Sequence, residues 1–101
     1  MEESREERIE KHENISNRRR ELIKKLTALL DQLEAQDNLY DQLLAYYYSD
    51  MWQDDVEADA AGLVDPDLPR GVLAEDTIYD LMTDHHALAI RLLDMATDML
   101  R

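Results

Sequence analysis

A chain of 101 residues with 24 acidic and 11 basic side chains, net charge −13, is most simply one domain with one hydrophobic seam, because so short a chain buries only about two thirds of its unfolded surface. The lack of cysteine excludes a disulfide framework, a thiolate zinc site and a cysteine nucleophile, and no apolar run approaches the roughly 18 residues of a membrane span. The opening MEESREE has neither the basic nor the apolar region of a secretory signal, so the cytoplasm is the expected compartment.

From Ile9 to Tyr47, apolar residues recur at helical spacing (Ile15, Leu22, Leu26, Leu29, Leu33, Tyr40, Leu43, Tyr47), with Ile23, Leu30 and Leu44 widening the stripe. This predicts a long amphipathic helix, bent or broken at Gln36-Asp37-Asn38, with Glu7–Lys11 and Glu21–Lys25 as supporting pairs four residues apart. YSDMWQDDVEADAAG then reads as a fresh start: Ser49 caps, Asp50 suits a first turn, and Gly62 ends a short helix over about 50–60 in a left-handed conformation. LVDPDLPRG is a proline-containing loop that Leu63 and Leu68 are expected to tack to the core. The last helix, from about Glu75 to Leu100, carries Ile78, Leu81, Met82, His85, Leu88, Leu92, Met95 and Met99 on one face. The glycines and prolines all lie between Gly62 and Gly71, which leaves both flanks free of breakers. The expected fold is all-α, a single domain over 1–101. Two long helices form an antiparallel hairpin with a short middle helix, and the first 20 residues are an overhanging or frayed helix.

Charge is distributed unevenly. Residues 1–30 hold eight basic and seven acidic side chains, net +1, whereas 31–101 hold three and seventeen, net −14. Between Lys25 and Arg70 there are eleven acids and no positive residue. Such a surface repels nucleic acid and anionic lipid and attracts a basic protein, although it also serves solubility alone. In heptad register with Leu26, Leu33 and Tyr40, Tyr47 faces the seam, while Tyr48 lies on the outer face with Asp31, Glu34 and Asp41.

YYSDMWQDDVEADAAG followed by DLPRGVLAEDTIYDLM resembles the signature region of a bacterial family of small helical proteins classed only as a domain of unknown function. The resemblance covers most of the chain and is strongest from Tyr47 to Met82. It implies a helical fold and no assigned activity. Ala74, where the pattern implies a serine cap, and Val64 and Asp65, which lengthen the loop, depart from it.

Residue chemistry points away from catalysis. DVEADA and DPDLPRG alternate acids but fail the calcium-loop pattern, with Ala60 and Arg70 where glycine belongs. His85 and His86 are adjacent and diverge by about 100° on a helix, no Glu-x-x-His occurs on the last helix, and no nucleophile elbow or phosphate loop exists. No catalytic residue, cofactor or metal is expected. The basic run NRRRELIKK is expected to be neutralised within the molecule by the last helix, through Asp94 and Asp98, rather than to bind nucleic acid.

Two functional expectations remain. The first is a non-enzymatic interaction module that presents Asp31, Glu34, Asp41, Tyr48, Trp52, Asp54 and Asp55 to a basic protein surface. The second is a nucleic-acid mimic that inhibits a DNA- or RNA-binding protein, such as a phage-encoded anti-nuclease, although the acids are sparser than phosphates at about 3.4 Å. Against both, Tyr46, Tyr48 and Trp52 have an inward alternative, packing beneath the short helix and proline loop. Ile90, Leu93 and Leu100 form a further apolar face on the last helix, expected to pair two chains into a four-helix bundle. The competing arrangement lays the short middle helix across Ile90 and Leu93 and leaves a monomer.

Overall fold

Ser4 starts the first helix. In the computed structural model, which describes residues 2–101, its Oγ accepts from the Glu7 N–H at 3.1 Å while its own N–H donates to the Glu7 carboxylate at 3.3 Å, a capping box. The helix, α1, therefore begins at Arg5 and runs Arg5–Ala35, four residues earlier than the apolar periodicity alone indicates. Glu7 turns back to Ser4 instead of forward to Lys11. The remaining helices are α2 (Asp37–Tyr47), α3 (Asp50–Ala60) and α4 (Glu75–Met99), with a 3-10 turn over Gly71–Leu73, and the described residues contain no strand. The fold is all-α.

The chain divides into two compact units, the first ending at Gln42 and the second running Leu43–Arg101. In the first, the break anticipated at 36–38 narrows to one residue. Gln36 donates to Leu33 O at 3.2 Å, a tightened last turn, and Tyr40 then donates to Gln36 O at 3.0 Å to open α2. Residues 5–20, expected as an overhang, are helical. The basic run finds its counter-charge on the same helix: Glu21 takes Lys25 at 2.9 Å and Arg18 at 3.0 Å. The bonds from Lys25, then Arg18, hold the Glu21 carboxyl below its ordinary range. No side chain of α1 is buried.

In the second unit Gly62, at φ +75°, closes α3. Gly62 N–H reaches Asp59 O at 3.0 Å and Leu63 N–H reaches Ala58 O at 2.9 Å, the paired bonds of a Schellman motif that only glycine enters without strain. Leu63 and Leu68 are both exposed, so neither tacks down the loop; Val64 is the half-buried apolar residue there. Asp65 Oδ1 accepts from Asp67 N–H at 2.9 Å within the proline loop. The 3-10 turn contacts both α3 and α4, and α4 starts behind Ala74, whose backbone is extended and whose methyl offers no capping oxygen. Ile78, on the first turns of α4, is the one fully buried side chain among the described residues.

Candidate functional site

Ser49 reverses the chain between α2 and α3. Its N–H and its hydroxyl both donate to Tyr46 O, at 3.0 and 2.6 Å, and its Oγ accepts from Trp52 N–H at 3.4 Å, so one residue closes a helix and opens the next. This hinge determines where the aromatics go. Trp52 comes back against Tyr47 in an edge-to-face contact, centroids 4.9 Å apart at 71°, and Tyr48 also meets Tyr47, at 5.1 Å and 62°. The Trp52 indole N–H donates to Val72 O at 2.9 Å, tying α3 to the 3-10 turn. Trp52 thus takes the inward alternative. Tyr48 remains 69% exposed, with its hydroxyl 3.7 Å from Met82 Sδ.

The two faces of α3 divide its acids by role. On the inward side Asp55 accepts the Tyr46 hydroxyl at 2.6 Å and Asp59 pairs with Arg70 at 2.8 Å. Tyr46, Asp55 and Arg70, together with Val64, Leu68 and Val72, line an open cleft of about 280 Å³. On the outward side Asp50, Asp54 and Glu57, spaced four and three residues, share a face and are exposed. Of the anticipated site residues in this unit, Tyr48 and Asp54 are presented to solvent, whereas Trp52 and Asp55 hold the clasp together. Asp31, Glu34 and Asp41 belong to the first unit, where all three are exposed. Asp50, Glu57 and Met51, the last 64% exposed, were not singled out from sequence; their spacing from Asp54 on one helix turn was the available signal. Among the described residues no group of three or more His, Asp or Glu is placed to hold a metal ion.

The clasp has a titration signature. The hydrogen bond to Asp55, then burial, then the carboxylate's charge push the Tyr46 hydroxyl up to about 12. Tyr47 is also raised, by burial first and by the nearby Glu75 carboxylate second. An unfolded tyrosine loses its proton near 10, so between about 10 and about 12 the folded chain holds more protons, and stability falls as pH rises through that window. In urea titrations the alkaline loss of stability is expected to be smaller in Tyr46→Phe than in the parent. An equal loss in both would remove Tyr46 as its source.

All-α architecture, an acid-faced short helix and an aromatic clasp define a small acidic helical protein. Residues 9–95 match the family described as a domain of unknown function, DUF4298, and the chain belongs to that family. No curated protein and no solved structure matches it. Among the described residues no helix is long and apolar enough to cross a membrane.

Proposed function

We propose that this protein is a non-enzymatic interaction module whose second unit receives a basic protein surface. The observation that supports this most is the outward face of α3, where Asp50, Asp54 and Glu57 stand in line with no basic residue on the helix, in a unit that also exposes the ring of Tyr48. The unit as a whole carries thirteen acids and three arginines, net −10. Two of those arginines are engaged, Arg70 with Asp59 and Arg101 with Asp98. Carboxylates steer a cationic partner from a distance, and an exposed aromatic ring supplies contact energy once it arrives. The structural acids Asp55 and Asp59 keep α3 in place, which preorganises the outward row.

The test is affinity capture from the native host with the parent chain and with Asp50→Asn/Asp54→Asn/Glu57→Gln. A basic protein is expected on the parent, lost from the triple variant, and released at about 0.5 M salt, where charges are screened beyond a few ångströms. A partner retained by the triple variant at that salt would sink the assignment to this face. Recovery of a nuclease or polymerase whose nucleic acid competes for the same face would favour the mimic reading over a general module.

A further inference from the structure

We propose that the cleft beside the Tyr46–Asp55 hydrogen bond binds a primary ammonium carried on a short apolar stem, with the Asp55 carboxylate as its acceptor. Three parts of the second unit build the cleft: Tyr46 comes from the end of α2, Asp55 from α3, and the remaining walls from the proline loop and the 3-10 turn. Two contacts fix these parts to one another, the Trp52 indole N–H on Val72 O at 2.9 Å and Arg70 on Asp59 at 2.8 Å. A cleft whose walls are already tied together loses little to ordering when it is filled.

Charge selects the head of the ligand. Arg70 is the one cation lining the cleft, and its charge is met by Asp59. Asp55 is not balanced in this way. Its partner is the neutral Tyr46 hydroxyl, which donates to Oδ2 at 2.6 Å, and no Lys or Arg of the described residues forms an ion pair with it. Oδ1 is left to accept, and so are the lone pairs of the Tyr46 oxygen. Two adjacent acceptors beside an uncompensated negative charge suit an ammonium, which carries three donors and no acceptor. An anion is disfavoured by the same carboxylate and by the net −10 of the unit.

The walls select the stem. Leu68 is 54% and Val72 41% exposed on the cleft, next to Pro69 and the half-buried Val64. Apolar surface left open in a concave site with a few convergent polar groups is the usual make-up of a small-ligand site. The volume of about 280 Å³ lies just below the roughly 300 Å³ at which such sites commonly begin, so the stem is short. Asp55 lies about 100–160° round α3 from Asp50, Asp54 and Glu57, so the proposal does not rest on the outward row of acids.

Two-dimensional ¹H–¹⁵N NMR of the full chain tests this, by titration with hexylammonium, hexanol and hexanoate at about pH 7, where an alkylamine with a pKa near the ~10.4 of lysine is charged. Hexylammonium is expected to shift the amides of Leu68, Arg70 and Val72 with a dissociation constant of about 1 mM. Hexanol should bind about tenfold more weakly for want of the charge-assisted bond, and hexanoate not at all. Asp55→Asn keeps an oxygen for the Tyr46 hydroxyl and is expected to weaken hexylammonium about tenfold with hexanol unchanged, whereas a merely structural effect moves both. Leu68→Ser should weaken both probes, and Asp84→Asn, an exposed acid of α4, neither. Hexanol binding as well as hexylammonium overturns the proposal, as do hexylammonium shifts spread over the acids of α4 instead of the cleft, or an Asp55→Asn chain that binds hexylammonium like the parent. Should Asp55→Asn lose its helicity by circular dichroism, the order of the three probes on the parent decides. A lysine blocked at both peptide ends separates the two sources of this chemistry: binding at least equal to that of hexylammonium assigns the site to a lysine side chain of a protein, and weaker binding to a free amine.

Discussion

Trp52→Ala is expected to lower the unfolding free energy of the second unit by about 3 kcal/mol, and Tyr48→Ala by about 1 kcal/mol or less. Trp52 makes two kinds of contact that hold different elements together. Its ring packs on Tyr47 at the end of α2, and its indole N–H satisfies the Val72 carbonyl in the 3-10 turn. Truncation loses apolar burial and leaves that carbonyl to water, and because the ring is only half-buried the cost sits at the low end of the range for tryptophan. For a 59-residue unit with total stability of about 3–9 kcal/mol, that is a large share. Tyr48 touches Tyr47 and Met82 but keeps most of its surface in water, so its removal costs one edge contact. Trp52→Phe separates the two terms, since it keeps a ring and loses the N–H; a loss of about 1 kcal/mol is expected. Urea unfolding followed by circular dichroism provides the measurement. A Tyr48→Ala loss equal to that of Trp52→Ala would mean that Tyr48 is part of the clasp and not of a binding surface.

Much of this architecture was legible because helix boundaries are local chemistry. Ser49, Gly62 and the 36–38 break each act through the backbone of their immediate neighbours, and α3 and α4 begin where the sequence places them, with α4 ending one residue short of Leu100. The family resemblance, strongest from Tyr47 to Met82, agrees with the matched family over 9–95. What sequence reading missed depends on where separate segments meet. Tyr46 and Asp55 are nine positions apart and Asp59 and Arg70 eleven, across a reversal and a proline loop whose geometry no periodicity encodes. Leu63 reads as an anchor because it is apolar, yet it is exposed, and Val64 beside it is the residue that turns partly inward. Likewise Glu7 has two partners within reach on one helix, and the unsatisfied amide at Ser4 wins over a solvated lysine, since an orphan N–H at a helix start gains more from a carboxylate than an exposed ion pair does.

Ile78→Ala is expected to cost about 3 kcal/mol and to do so at every protein concentration. Ile78 is 1% exposed, the extreme of burial in a unit whose other side chains are half-buried or exposed. A buried isoleucine truncated to alanine loses about 2–5 kcal/mol, the spread reflecting how far the surroundings collapse into the space. Here the site adjoins the first turn of α4, which starts without a side-chain cap, so that end of the helix depends on packing for its position. At about 4–8 °C per kcal/mol for a unit of this size, the melting temperature should fall by roughly 12–24 °C. The concentration dependence distinguishes a core residue from one at an interface between chains. Truncating Ile78 removes a contact inside one chain, so the loss is a constant offset. An Ile78→Ala loss that vanishes on dilution would place Ile78 at an interface instead. A loss below about 1 kcal/mol would show that the unit closes over the missing methyl groups and has no fixed core at this point.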